Sequence, residues 1–573
     1  MQSVLNNVIL RFGDPFGAAS ASAGTLHLTP APMCIRFTIA LLAVGILLPA
    51  NLHAATYQFV VREGDRNVYL WVPPACDRIR GLIAAFRNLT EQRWLEDNDV
   101  RAAAAENCLG IVWIGSGKAS ALDANMSPDA SAAFLTMQAD LARVSGFPEI
   151  ASAPILPAGH SAHGQFAWKF AERFPERTIA ALPIKTVPLP ADLDLQGVPL
   201  LYIVGQTTEW PQFRDGSRPG NRDFFWPVVR DSALAIRHRD PDARVGVAVD
   251  PGGGHFDWSP AMTHTVATFI RAVCHARLPA KARQAEPADL RPVPLASGWL
   301  ADTGGMEPDK LAPSPFAQFR GKPADAYWFL NQAVVKQVET MQGDRIARKV
   351  QMLSFEQDGR TLPVAKEGFA ALRFEPETDG IHFSLHPVFL SAVPQELVGA
   401  GKMLGHAGVP IRLSVTSGPV EQTGPDLFVL AWQREALGGE AWIEEEASGD
   451  RQYRKAVQPG KLIFPKLSAG AAQSITVAQI IDQPAGAQTI ALNAKSNSGL
   501  PVHFFVESGP AEIEGDHLRI TDIPRGNLSS IQVTVVAYQP GRLAGNGLTG
   551  VQSADPVTLR FRIAKQPTRA ALP

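Results

Sequence analysis

The sequence predicts an α/β fold with a mostly parallel sheet, followed by all-β domains. Three observations carry this. Between residues 57 and 277, apolar runs of strand length alternate with helical stretches of about a dozen residues, the pattern of right-handed crossovers between parallel strands. Beyond residue 297 the texture changes to short strand-like segments punctuated by Gly and Pro. In that second half, Pro410–Pro419 and Pro501–Pro510 read as two copies of one motif.

At 573 residues the chain is too long for one core, and a length prior gives three or four domains. Its 53 basic and 55 acidic residues nearly cancel, which removes the electrostatic footprint a nucleic-acid binder would show. Met33-Cys34-Ile35-Arg36 precedes an apolar run from Phe37 to Pro49, and Asn51-Leu52-His53-Ala54-Ala55 offers small residues for cleavage. A positive start, a short apolar core and a small-residue exit make residues 33–55 a secretory signal peptide. Translation is then expected to begin at Met33, with residues 1–32 a non-translated or disordered leader. The mature chain is expected to be secreted or periplasmic, with no integral membrane segment. Of four cysteines, Cys34 leaves with the signal; Cys76, Cys108 and Cys274 remain, so one pair can form and the spacing does not say which.

The elements follow in order. Tyr57–Arg62 and Asn67–Val72 form a hairpin across Glu63-Gly64-Asp65-Arg66. Strands are expected at Gly81–Phe86, Leu109–Ile114, Ile155–Ala158, Ile179–Ile184, Pro199–Val204 and Arg244–Val249. Helices are expected at Glu96–Asn107, Ser131–Val144, Phe224–Arg237 and Pro260–Arg277, with a helix-like run from Gln165 to Phe174. Catalytic groups in such sheets gather at the carboxyl ends of strands.

Three strand ends carry suitable chemistry. Gly159-His160-Ser161-Ala162-His163-Gly164 lies between a strand and a helix, and small residues flank a serine whose oxygen such a turn aims outward. Gln206-Thr207-Thr208-Glu209-Trp210 follows the strand 199–204. Asp250-Pro251-Gly252-Gly253-Gly254-His255-Phe256-Asp257-Trp258 follows the strand 244–249. A serine alcohol needs a base within hydrogen-bond reach, and the base needs an acid to fix its tautomer. Ser161, His255 and Glu209 suit these roles in the chain order serine, acid, histidine. Asp215 and Asp223 on the same long loop are rival acids. His160 and His163 sit too close in sequence to turn back onto Ser161 and are read as packing or pocket-lining residues.

On these residues, positions 56–280 resemble an α/β-hydrolase fold serine hydrolase. The resemblance implies an oxyanion hole from the amide of Ala162 and one from the loop Phe86-Arg87-Asn88-Leu89, at Asn88 or Leu89. The elbow departs from the family in one place: His163 stands where glycine is usual and glycine follows at Gly164, so a reshaped turn is expected. Trp168, Trp210 and Trp258, near the three catalytic segments, are candidate substrate-binding residues, with core packing as the alternative. Arg214, Arg218 and Arg222 are either substrate contacts or solvated loop residues. No metal and no cofactor are implied.

Residues 281–296 read as a linker, rich in Pro, Ala and charge. Residues 297–374 form an α+β intermediate segment, with a helix at Ala324–Met341 and strands at Lys349–Phe355 and Gly368–Phe374. The repeat then defines β domains at 375–465 and 466–573. Pro410-Ile411-Arg412-Leu413-Ser414-Val415-Thr416-Ser417-Gly418-Pro419 corresponds to Pro501-Val502-His503-Phe504-Phe505-Val506-Glu507-Ser508-Gly509-Pro510, and Leu427 to Leu518, at the one offset of 91. The size and the alternating strands resemble small Ig-like modules. Together these features imply a secreted hydrolase acting on carboxylic esters, small or polymeric and glycan-linked. A non-catalytic adhesion protein on a hydrolase scaffold and a serine peptidase are the alternatives. Oligomeric state is not legible.

Overall fold

The computed structural model describes residues 57–206, 225–279, 289–303, 310–343, 348–365, 368–395, 399–526, 528–545 and 547–565. The expected signal peptide and leader, and the long loop carrying Glu209, Trp210, Asp215 and Asp223, lie outside these residues. Among the described residues no helix is long and apolar enough to cross a membrane.

Eight strands form the first sheet: β1 (Phe59–Glu63), β2 (Arg66–Trp71), β3 (Gly81–Phe86), β4 (Leu109–Ile114), β5 (Ile155–His160), β6 (Leu182–Ile184), β7 (Leu200–Gly205) and β8 (Val245–Asp250). Their order is β1-β2-β4-β3-β5-β6-β7-β8. The β1–β2 and β2–β4 pairs are antiparallel, and the pairs from β4 through β8 are parallel. This is the mostly parallel sheet with an antiparallel edge that the sequence predicts for an α/β hydrolase. The parallel strands are buried along their whole length, as continuous apolar runs should be when helices cover both faces. In β3 the alternation of side chains sends Leu82, Ala84 and Phe86 into the core on one face and Ile83 and Ala85 into the core on the other.

The helices are α1 (Glu91–Leu95), α2 (Asn98–Glu106), α3 (Pro128–Ser145), α4 (Gln165–Arg173), α5 (Phe225–Arg239) and α6 (Pro260–Arg277). Their ends follow local chemistry. Ser127 caps α3 by accepting from the Ala130 amide, Pro128 occupies its first turn, and Gly146 in the left-handed region ends it. Ser259 caps α6 in the same way, with Pro260 behind it. A disulfide joins Cys76 to Cys108, and Cys274 is buried and free.

The segment 297–374 is not a separate piece. Its first part extends the core of the α/β domain. Strand β9 (Trp299–Asp302) pairs with Ala326–Phe329, and helix α7 (Gln332–Gln342) packs beside β8, where Gln342 Oε1 accepts the Val249 N–H at 2.9 Å. The helix expected over 324–341 thus begins as a strand: the aromatic run Tyr327-Trp328-Phe329 favours the pleat, and the Asn331 side chain caps the helix that follows. The remainder joins the first β domain, where Ala370–Ala371 pairs with Ala456–Phe464 and Leu353–Gln357 pairs with His386–Phe389.

The two β domains repeat one another in their central strand pair. Ile411–Ser417 pairs with Gly439–Ala447, and its register breaks between Val415 and Ser417. His503–Ser508 pairs with Ser530–Tyr538, and its register breaks between Val506 and Ser508. The offset of 91 holds at both bulges and at both ends of the long partner strands. Each copy stacks this sheet on a second one, 382–384 with 427–430 and 420–422 in the first copy, and 489–491 with 517–520 and 511–514 in the second. Two sheets, antiparallel but for the Ala370–Ala371 edge strand of the first copy, face across an apolar core and make each copy a β-sandwich.

Candidate active site

Strand β5 runs straight into the serine. Ser161 has φ +55°, the left-handed region, which a residue with a Cβ occupies at a cost of order 1–3 kcal/mol and which clusters at functional sites. A single tight turn, Ser161–His163, then leads into α4. Two glycines make this geometry possible. A Cβ on Gly159 would lie 2.5 Å from the His163 carbonyl oxygen, and one on Gly164 would lie 2.4 Å from Thr186 Cβ. The Thr186 hydroxyl donates to the Ser161 carbonyl at 2.5 Å and braces the turn from outside. The point of close approach is therefore Gly164, one residue later than the resemblance implies. His163 points away from it and packs its ring 5.5 Å from that of Phe86.

The loop after β8 brings His255 to the serine. Ser161 Oγ lies 2.8 Å from His255 Nε2. Burial pushes the His255 pKa well below the ordinary value, and His160 and Lys185 nearby push it further. The ring is therefore neutral at neutral pH and offers a lone pair. His160 is fully buried beneath it, with Nε2 2.8 Å from the His255 carbonyl oxygen. A carbonyl only accepts, so His160 carries its proton on Nε2, and its Nδ1 faces the Asn88 amide nitrogen at 3.4 Å. Burial, with Lys185 and His163 adding to it, holds its pKa down at about 3. His160 is thus a neutral strut that fixes the backbone of His255, consistent with the packing role read from sequence.

The second expected oxyanion donor is a different matter. The Asn88 and Leu89 amides donate to Glu91 Oε2 at 3.0 and 2.9 Å, and Glu91 Oε1 accepts the His160 amide at 2.8 Å. Both candidate amides are thus already engaged. The reason is local: Glu91 opens α1 and turns back onto the N–H groups that precede it. Burial raises the Glu91 pKa to about 7, and the three N–H donors oppose that rise. The Ala162 amide stands in the first turn after the serine, where helical N–H groups have no intrahelical partner.

The aromatic expectations are corrected by burial. Trp168 and Trp258 are each 1% exposed and cannot face a substrate. Trp168 lies on the sheet-facing side of α4, inside the hydrophobic core. Trp258 donates from Nε1 to Thr263 Oγ1 at 2.8 Å and stacks on Trp94 at 6.1 Å. Trp210 is among the residues not described, as are the three acid candidates.

Beneath the histidine loop lies a charged cluster that sequence reasoning missed. Lys185 is fully buried, with φ +43°, directly after β6. Its Nζ donates to the Asp257 carbonyl at 2.9 Å and meets Asp257 Oδ2 at 3.0 Å and Asp250 Oδ2 at 3.4 Å. Burial and the neighbouring Asp250 and Glu444 raise Asp257 to about 7 against the pull of Lys185, whereas Lys455 and Lys185 overcome burial and hold Asp250 below its ordinary value. The two aspartates bracket the glycine run in sequence and could have been noticed there. A lone lysine after a strand carries no such signal. Among the described residues no group of His, Cys, Asp and Glu is placed to hold a metal ion.

No family model and no curated protein sequence matches this chain. Solved structures do. Poly(aspartic acid) hydrolase-1 from Sphingomonas sp. KT-1 is similar at 15% identity and TM-score 0.26, over 35% of this chain and 94% of that one. Est1E from Butyrivibrio proteoclasticus is similar at 13% identity and TM-score 0.27, over 38% of this chain and all of that one. The poly(3-hydroxybutyrate) depolymerase LpqC from Bordetella parapertussis is similar at 14% identity and TM-score 0.28, over 38% of this chain and 90% of that one.

Proposed function

We propose that the chain is a secreted serine hydrolase that cleaves carboxylic esters. The observation that carries this is the 2.8 Å approach of Ser161 Oγ to His255 Nε2 from two separate strand ends, with the serine held in the left-handed region. Ser161 attacks the ester carbonyl carbon while His255 Nε2 takes the hydroxyl proton. The Ala162 amide donates to the oxyanion. The tetrahedral intermediate expels the alcohol, which leaves with the proton from His255, and an acyl-enzyme remains. Water then repeats the sequence and frees the acid. Glu209 is the acid proposed to orient His255, with Asp215 and Asp223 as rivals. The Cys76–Cys108 disulfide fits an exported protein, since such bonds persist in oxidising compartments. A polymeric or glycan-linked ester is the substrate class that fits appended β-sandwiches.

The test is turnover of a short-chain aryl ester and labelling by a fluorophosphonate. Wild type should turn over and become labelled at Ser161, and Ser161→Ala and His255→Ala should do neither. A wild-type protein that neither turns over nor labels would overturn the reading. Loss of turnover in Asp215→Asn or Asp223→Asn, with Glu209→Gln still active, would reassign the acid.

A further inference from the structure

We propose that the first β-sandwich is a positioning element for the catalytic histidine, acting through Lys455, Glu444 and Trp442. This rests on the hydrolase reading and adds to it a role for a domain that a modular view would make a spacer.

The loop Asp250–Trp258 carries His255, and three contacts from the sandwich hold it. Lys455 Nζ lies 3.5 Å from Asp250 Oδ1 and 3.4 Å from Glu446 Oε2. Glu444 Oε2 accepts the Trp258 backbone N–H at 2.7 Å. The Trp442 ring stacks on Phe256, centroids 4.4 Å apart and 16° from parallel. Phe256 is the residue after His255, and the two rings meet edge to face at 4.8 Å. The backbones also touch: a Cβ on Gly252 would lie 2.5 Å from the Lys455 carbonyl oxygen. The loop is therefore gripped at its start, middle and end by one hairpin of the neighbouring domain, formed by Gly439–Ala447 and Ala456–Phe464.

Charge explains why the hydrolase domain cannot do this alone. Asp250 and Asp257 are both fully buried and share Lys185. A buried carboxylate without a partner shifts or moves rather than stay in place. Lys455 supplies the second cation. Burial alone would lower its pKa, but Asp250, Glu446, Asp257 and Glu444 outweigh burial and hold the ammonium above its ordinary range. Glu444 is itself fixed from the hydrolase side, where Arg93 Nη1 lies 3.6 Å from its Oε1. Loss of any of these partners should let His255 drift from Ser161, and a displacement of about 1 Å at a reacting group can cost about a hundredfold in rate.

The full-length chain and its Lys455→Met, Lys455→Arg and Trp442→Leu variants test this with a short-chain aryl ester, thermal melts and hydrogen–deuterium exchange over residues 250–258. Lys455→Met should lower kcat by at least about tenfold with KM within about twofold, Lys455→Arg should recover most of the loss, and exchange over 250–258 should quicken while the rest of the sheet stays protected. Trp442→Leu changes no charge and should show the same split if Lys455→Met fails to fold. Folded variants with unchanged kcat and unchanged exchange would overturn the proposal while leaving the hydrolase reading intact. A wild type without turnover or label would overturn the hydrolase reading, and the exchange experiment would still decide whether the sandwich holds the loop.

Discussion

Glu91 Oε1 accepts the backbone N–H of His160 at 2.8 Å, which ties the loop after β3 to the last residue of β5, immediately before Ser161. The same carboxylate holds the Asn88 and Leu89 amides, so one buried side chain sets the relative position of two loops. Asn88 completes the link by donating from Nδ2 to the His160 carbonyl at 3.0 Å.

That arrangement has a pH signature. The Glu91 pKa is about 7 in the folded chain against an ordinary 4.5. A raised carboxyl pKa contributes stability below the unfolded value that is lost as pH climbs through the folded one, here about 3 kcal/mol between about pH 4.5 and 7. Glu91→Gln removes this dependence and turns an amide NH₂ toward N–H donors, at a cost of about 1–3 kcal/mol. In urea titrations the gap between wild type and variant should therefore be largest near about pH 5 and shrink by up to about 3 kcal/mol near about pH 8. A gap that stays constant would mean that Glu91 is not the group titrating.

Gly164, like Gly159, should be an intolerant glycine of the elbow. A methyl there meets Thr186 Cβ and displaces the hydroxyl that braces the Ser161 carbonyl. Gly164→Ala should cost about 1–3 kcal/mol, the range for overpacking, and lower kcat with it. His163→Gly, which puts in the residue that α/β hydrolases usually carry, should leave kcat within about twofold, because His163 meets Gly159 of β5 through its backbone carbonyl, which glycine keeps. Steady-state kinetics and melts on the two variants separate these expectations.

Much of the α/β core was legible because its strands are continuous apolar runs: β3 and β4 and helix α6 match their sequence-based limits residue for residue. What failed did so for physical reasons. Trp168 and Trp258 stand near the site in sequence, but helix and loop geometry turn both rings inward, which a linear spacing does not reveal. The Asn88 and Leu89 amides looked available because nothing in the sequence says that a carboxylate three residues on will fold back to them. The charged cluster draws Lys185, Asp250 and Lys455 from three distant segments. One trace of it was visible, since Glu444-Glu445-Glu446 follows the apolar run Ala441-Trp442-Ile443 within one strand, and Glu444 and Glu445 are buried.

The repeat was legible to the level of single residues, and it makes a paired prediction. Gly418 and Gly509, 91 positions apart, have φ +103° and +117°. A Cβ on Gly418 would lie 2.4 Å from Ala441 Cα, and one on Gly509 would lie 2.7 Å from Val533 Cα, so each glycine lets a turn press on the long strand of its own sandwich. Gly418→Ala and Gly509→Ala should therefore destabilise by similar amounts, at least about 1 kcal/mol each, measured as loss of melting temperature. The two effects should add in the double variant, because the sites lie in separate cores. A harmless substitution in either copy would show that the correspondence is one of sequence and not of packing.

Arg434 joins all three parts of the molecule and should be costly to lose. From the first sandwich its Nη1 meets Glu96 of the α/β core at 3.1 Å, and its Nε and Nη2 donate to the Glu507 and Val506 carbonyls of the second sandwich at 2.8 and 3.0 Å. Its guanidinium lies 4.9 Å from the Tyr57 ring centroid and 5.4 Å from that of Tyr69. Burial raises the Glu96 pKa, and Arg434 and Arg101 oppose the rise. Arg434→Met keeps the bulk but takes from Glu96 the cation that meets it directly, leaving Arg101 and Gln92, and takes the donors from two carbonyls, so it should destabilise by about 3–5 kcal/mol. Glu96→Gln in the same background should recover part of that loss, because a neutral amide tolerates burial better than an under-compensated carboxylate. A double-mutant cycle by chemical unfolding should then give a coupling of at least about 1 kcal/mol. A coupling near zero would mean that the three parts are held by apolar contact and that the guanidinium merely fills the space between them.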